Sequence, residues 1–262
     1  MTTMEATGGA FELGRVMQRT FKVIGDNLSL FAISGLALIA LPVFAASVVG
    51  FLYPELWVIA LASMAGGIMA FVGSLLMQGV VVHSAISGLN GRSIRLGEAL
   101  GVGARKALPL LGLGILQSLG FALGLLLLVV PGLMLMTAWS VAAPVLVMEK
   151  RSIEASFGRS GDLTRGHRWS IFGLLVIYFV LAMIISVAVQ GLAAAAGVTT
   201  AQSGFVTTTQ APSLMALAAV LVSALTNAVQ GVISAAGAAA IYYELRTGKE
   251  GAAPDQLAAV FD

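Results

Sequence analysis

The sequence predicts an all-α integral membrane fold: six transmembrane helices in three hairpins, each hairpin preceded by a cytoplasmic interfacial amphipathic helix. Three observations carry this. Of 262 residues, 58% are hydrophobic and only 10% charged, where a soluble domain carries about 25% charged residues. Apolar runs long enough to cross a bilayer recur along the chain. Every Lys and Arg falls in alternate connectors between those runs. Mean hydropathy is +0.98, so the polar shell of a soluble domain is missing. Thirty-one glycines suit helices that must approach closely without a hydrophobic force between them. There is no Cys, which removes disulfides, thiolate nucleophiles and sulfur ligands.

Five apolar stretches stand out: Leu28 to Gly50, Trp57 to Ile86, Leu108 to Met148, Ile171 to Ala196 and Leu214 to Tyr243. The third is too long for one crossing at about 1.5 Å per residue. Pro131-Gly132 near its middle predicts a tight turn. This divides the stretch into spans at Leu108 to Val130 and Leu133 to Met148, the second short and bearing Pro144. The cations agree. Arg15, Arg19 and Lys22 precede span one. Arg92, Arg95, Arg105 and Lys106 lie between spans two and three. Lys150, Arg151, Arg159, Arg165 and Arg168 lie between four and five, and Arg246 and Lys249 follow six. Five spans would put the two densest basic connectors on opposite sides. Six put them all in the cytoplasm.

The domain reading is therefore one membrane domain over residues 1–262. Residues 1–27 form a cytoplasmic N-terminal segment with an interfacial helix, 28–243 the six-span bundle, and 244–262 a cytoplasmic tail. Phe11 to Ile24 places Leu13, Val16, Met17, Thr20, Phe21 and Ile24 on one helical face and Glu12, Arg15, Gln18, Arg19 and Lys22 on the other, as a helix lying in an interface does. A similar helix is expected from Ile94 to Ala107, capped by Ser93. A third is expected from Ser152 to Thr164, with Ile153 and Phe157 apolar. The starts of spans one and five match as Asn27-Leu28-Ser29-Leu30-Phe31 and Arg168-Trp169-Ser170-Ile171-Phe172, which suggests a repeated unit of interfacial helix plus two spans.

No Asp, Glu, Lys or Arg falls in the middle of any span, which argues against a proton-coupled pump or ion relay. The buried amides are Gln78, Gln117, Gln190, Asn227 and Gln230. Asn227 and Gln230 share a helical face. Gln78, Gln117, Asn227 and Gln230 are candidates to line a small cavity, the alternative being hydrogen bonds between helices. Gly120-x-x-x-Gly124 reads as close packing within the chain. His83 has no ligand partners at metal spacing, so no metal and no cofactor is expected. At the start of span five, Arg159, Arg165, His167, Arg168 and Trp169 combine phosphate donors with an aromatic interface anchor. They are candidates to bind an anionic lipid headgroup, the alternative being topology signals alone. No nucleophile elbow, phosphate-binding loop or nucleic-acid module is present.

Pro144-Val145-Leu146-Val147-Met148-Glu149, Glu154-Ala155, Arg159-Ser160, Leu163-Thr164-Arg165-Gly166, Arg168-Trp169, Pro131-Gly132 and the ending Tyr242-Tyr243-Glu244-Leu245-Arg246 with Lys249-Glu250-Gly251 together resemble bacterial membrane proteins grouped with the membrane domain of glycerophosphoryl diester phosphodiesterase. The resemblance implies a multi-helix bacterial inner-membrane protein of largely unassigned function. The phosphodiesterase activity does not carry over. It belongs to a separate barrel with paired carboxylates, whereas here His167-Arg168 stands without them and the tail after Tyr243 is too short for a second domain.

The expected function is that of a non-enzymatic inner-membrane protein that organises or binds anionic lipid or a membrane-protein partner. The alternative is a transporter or flippase-like carrier of a small or lipid substrate. Membrane lipids are the expected partners, with no nucleic acid, and the oligomeric state is left open. Both termini are expected in the cytoplasm. Single cysteines introduced at Ser93 and Thr208 should therefore label from opposite faces of the membrane, Thr208 from outside. Labelling of both from one side would sink the six-span arrangement.

Overall fold

The computed structural model describes residues 12–92, 94–195 and 214–251. Ser93 and Thr208 lie outside them. The described residues are helical throughout, joined by short links. Six stretches are long and apolar enough to cross a membrane: Leu28–Leu52, Leu56–Leu89, Leu96–Leu126, Val130–Met148, Arg168–Leu192 and Leu221–Glu250. The chain is thus a multi-pass membrane protein.

Helix α1 (Leu13–Asp26) buries Val16, Thr20 and Val23, at i, i+4 and i+7. Phe21, expected on the same face, is largely exposed. Span one is α2 (Leu28–Gly35), one π-helical turn (Leu36–Ala40) and α3 (Leu41–Leu52) in continuous succession. Pro42 cannot donate to the carbonyl four residues back, and the wider π turn is the local adjustment that keeps the helix continuous. Span two is the unbroken α4 (Leu56–Leu89). Gly73 on α4 faces that irregular turn, where an added Cβ would lie 1.9 Å from the Leu38 carbonyl oxygen.

Helix α5 (Leu96–Leu127) departs from expectation, because the separate helix anticipated over Ile94 to Ala107 does not exist. The chain runs straight through Pro109. One missing donor inside a long helix does not end it when nothing else breaks the ladder. Ala99 and Gly103 face inward. Gly103 meets Gly79, whose Cβ would approach its Cα to 2.8 Å.

The reversal after α5 is at Leu128, in extended conformation (φ −166°, ψ 144°), and not at Pro131-Gly132. Those two residues lie in the first turn of α6 (Val129–Ala138). Pro is tolerated there because first-turn amides have no helical acceptor. Gly132 is needed for contact: a Cβ on it would come within 3.0 Å of the Leu125 backbone nitrogen. Gly120 and Gly124 both pack inside the chain, Gly124 on Gly132 and Gly120 on the Trp139 ring.

Span four is broken. After α6 the chain turns at Trp139–Val141 and resumes as α7 (Ala142–Met148), buried from Ala142 to Val147. A broken span leaves carbonyls without helical donors in a medium without water. Helix α8 (Ile153–Thr164), capped by Ser152 accepting from the Ala155 amide at 3.3 Å, supplies the donors. Ser160 donates to the Ala138 carbonyl at 2.7 Å; the Thr164 hydroxyl, bonded first to the Ser160 carbonyl at 2.9 Å, lies 3.4 Å from it. The Lys106 ammonium donates to the Leu146 carbonyl near the end of α7, at 2.9 Å. Helix α9 (Arg168–Ala195) and helix α10 (Leu214–Glu250) complete the bundle. Its core lies where α4, α7 and α10 meet, through Val81, Val82, Ala85, Leu146, Ala236, Ala239 and Tyr242.

Removing both hydroxyls, as Ser160→Ala with Thr164→Val, leaves the Ala138 carbonyl without a donor. The expected cost is about 1–3 kcal/mol, seen as a lower melting temperature in detergent. An unchanged melting temperature would show that the carbonyl is satisfied otherwise. Gly73→Ala should lower folded yield severely, whereas Gly97→Ala, with nothing within 4 Å of the new carbon, should not.

Candidate functional site

The amides converge. Three cavities share Ser234 on α10. One, of about 490 Å³, lies between span one, α4 and α10 and is lined by Ile39, Phe71, Gln78, Asn227 and Ser234. A second, of about 230 Å³, joins α4, α5, α6, α9 and α10, with Gln78, Gln117, Trp139, Tyr178 and Ser234 on its wall. A third, of about 530 Å³, lies among α6, α9 and α10 and carries Leu133, Phe172, Tyr178, Gln230 and Ser234. Asn227 and Gln230, expected on one face, open into different cavities. No charged side chain lines any of the three.

The amides differ in their bonding. Gln230 donates to the Ser186 hydroxyl at 2.9 Å and to the Ala182 carbonyl at 3.3 Å, so it joins α10 to α9. The carboxamides of Gln78, Gln117 and Asn227, and the Ser234 hydroxyl, have no hydrogen-bond partner among the described residues. The second reading of the amides, bonds between helices, thus fits Gln230 alone. Tyr178 is fixed by its hydroxyl, 2.8 Å from that of Thr20.

The basic group divides differently. Arg159 is held inside the protein. Its Nε donates to Glu149 at 3.2 Å, and its terminal nitrogen donates to Glu250. Burial alone would lower its pKa, but the carboxylates of Glu250 and Glu149 more than reverse this and raise it. Arg165 caps α8 and is exposed, and its carbonyl accepts from Lys249 at 2.8 Å. Gly166, at φ +91°, takes a left-handed conformation that suits glycine and turns the chain into α9. His167 donates its amide to the Thr164 carbonyl at 3.0 Å. Arg168 is half-buried, and its Nε is buried without a hydrogen-bond partner among the described residues. Trp169 is 87% exposed. Arg159 therefore points toward the α10 terminus, while Arg168 and Trp169 line a separate groove with Phe172 and residues of α6.

Sequence reasoning did not single out Glu149, Glu250, Tyr178 or Ser234. Ser234 was within reach. Ser223, Asn227, Gln230 and Ser234 recur at helical spacing on span six and form a polar stripe across an apolar helix. The pairing of Glu149 and Glu250 with Arg159 carries no local signal, since Arg159 lies 10 and 91 residues away. His83 Nε2 lies 3.9 Å from Glu98, beyond hydrogen-bond reach. Among the described residues no three His, Cys, Asp or Glu side chains are grouped to hold a metal ion.

No curated protein matches the chain, and no solved structure does. A family model described as "Domain of unknown function (DUF7847)" matches residues 68–245. The match runs from the middle of α4 to the Tyr242–Leu245 end of α10, and so takes in the broken span, α8 and most of the cavity wall. Since it covers well over half of the sequence, the chain belongs to the DUF7847 family.

Proposed function

We propose that this protein is a non-enzymatic membrane carrier that takes up an amphipathic molecule from within the bilayer and holds its polar part among the amides around Ser234. One observation carries the reading: the cavities meeting at Ser234 present carboxamides of Gln78, Gln117 and Asn227 without hydrogen-bond partners among the described residues. An amide without a hydrogen-bond partner at hydrocarbon depth is costly, and a bound donor or acceptor removes that cost. The walls carry no charge, so the polar part they suit is uncharged, a hydroxyl or amide. The break in span four beside the cavities adds support, because broken spans mark substrate sites in carriers.

A second reading is a static organiser of anionic lipid or of a membrane partner. The inward ion pairs of Arg159 favour it, because they tie connectors together. In both readings the protein sits in a bacterial inner membrane with its termini in the cytoplasm. There α1 and α8 lie in the headgroup layer. The likeness to the membrane domain of glycerophosphoryl diester phosphodiesterase supports that setting without its chemistry.

The carrier reading is tested in proteoliposomes with a fluorescently tagged diacylglycerol, whose head is a lone hydroxyl. The parent protein should speed its movement between leaflets. Gln78→Leu combined with Asn227→Leu should abolish the acceleration while leaving the melting temperature unchanged or higher, since unpaired amides are replaced by apolar groups. Absence of acceleration by the parent, or full activity in a folded double variant, would leave the organiser as the surviving reading.

A further inference from the structure

We infer that the groove between α6 and the start of α9 is a binding site for one anionic phospholipid, its headgroup phosphate on Arg168 and one acyl chain along Val130, Leu133 and Met134. The groove adjoins the third cavity, sharing Leu133 and Phe172 with it, but its cation and the furrow beyond are its own. Neither Arg168 nor Met134 lines any of the three cavities around Ser234.

The cations of this region are mostly satisfied within the protein. Arg151 and Arg159 share Glu149, Arg246 pairs with Glu250, and Lys249 donates to the Asp162 and Arg165 carbonyls. Arg168 is different. Its guanidinium has no hydrogen bond or ion pair among the described residues, and its Nε is buried. A half-buried cation without a counter-charge is unfavourable, and an anion brought to it is correspondingly favoured. An exposed arginine such as Arg165 meets water instead and has no such need.

The surroundings specify what kind of anion. Arg168 sits at one end of a groove of about 250 Å³ lined otherwise by Val130, Leu133, Met134, Thr137, Trp169 and Phe172. The α6 residues stand at i, i+3, i+4 and i+7, so the wall extends about 10 Å along one helix face. The Thr137 hydroxyl is turned back on its own helix, donating to the Met134 carbonyl at 2.9 Å. The wall away from Arg168 is thus apolar, as an acyl chain requires. Trp169, nine-tenths exposed and edge-on to Phe172 at 6.2 Å between centroids, belongs at headgroup level. A cation at the headgroup layer that opens onto an apolar furrow matches a phospholipid. A free phosphate ion would use the first and leave the second uncovered.

The test uses the full chain, purified in detergent and titrated with phosphatidylglycerol or phosphatidylcholine, with retained lipid counted by native mass spectrometry. The parent should retain phosphatidylglycerol in preference to phosphatidylcholine. Arg168→Gln should lower phosphatidylglycerol retention about fivefold, the share of one interfacial cation. Arg92→Gln, an exposed arginine elsewhere, should change nothing. Met134→Trp fills the furrow, keeps the charge, and should weaken retention of phosphatidylglycerol. Excess inorganic phosphate should not displace the lipid. Equal retention of the two lipids by the parent overturns the site, as does unchanged retention in a folded Arg168→Gln protein. Displacement by inorganic phosphate would assign Arg168 to a free anion and overturn it too. If Arg168→Gln fails to fold, Met134→Trp decides alone, since retention unaffected by a filled furrow is incompatible with an acyl chain lying there.

Discussion

Hydrocarbon offers no hydrogen bonds, so a break in a spanning helix must be repaired by protein atoms. The architecture of this chain turns on that constraint at one place. Span four stops at Ala138 and restarts at Ala142. The Ala138 carbonyl is met by Ser160, with the Thr164 hydroxyl beside it, and the Leu146 carbonyl by Lys106. Helix α8 is therefore bound to the break by its polar side. Its buried face is Ser156, Ser160, Leu163 and Thr164, which read from sequence alone would be a solvent face. The Trp139 ring then fills the space beside the break, stacked near Phe121 and tilted onto Phe157, with centroids 5.9 and 4.6 Å apart. Gly120 is small so that this ring can lie against α5.

The far end of α10 is the second organising element, and charge does there what hydroxyls do at the break. Glu244, 5% exposed, takes both Arg15 and Arg19 of α1. Arg19 also lies over the Tyr243 ring, 5.0 Å from its centroid. Tyr242 donates to Glu149 at 3.0 Å, and Glu250 holds Arg159. Lys249 donates to carbonyls at the end of α8, where a cation also complements the helix dipole. One helix terminus thus fastens α1, the end of α7, and α8. Ion pairs this sheltered contribute little net stability when intact, but removing one partner strands the other. Their consequence is geometric, because they fix where the connectors lie against the bundle.

Much of this was legible in the sequence. Hydropathy and the placement of cations gave six spans, and the glycine spacing in span three anticipated packing within the chain. The turn was misplaced because Pro-Gly is also the composition of a helix start that must touch its neighbour, and only the close approach of Gly132 to Leu125 distinguishes the two. The helix expected over Ile94 to Ala107 and the span expected from Leu108 are one helix, in which Pro109 removes one bond and leaves the rest. The basic group at span five looked uniform because composition cannot show which arginine has a carboxylate. Arg159 has two, from residues distant in sequence. The amides stand at cavity walls, Asn227 exposed and the other three half-buried, but which of them are bonded depends on what faces them. Ser186 faces Gln230, and among the described residues no counterpart bonds Gln78.

The broken span and the cavities have a common origin. Where glycine meets glycine the helices close up, as Gly79 and Gly103 do between α4 and α5, and Gly124 and Gly132 between α5 and α6. Side chains between those contacts have no such latitude. Gln78 adjoins Gly79 in sequence but points about 100° away around the helix, into the space beside α10. Had span four continued as one straight helix through Trp139 and Ser140, its side chains would have entered that space. The chain turns there, and Trp139 and Ser140 become wall for the cavity that Gln78, Gln117 and Tyr178 share. The interruption that obliges α8 to supply hydroxyls is the same one that leaves room among the amides. A substitution that restored a continuous fourth span would therefore act on both, releasing α8 and filling the cavity at once.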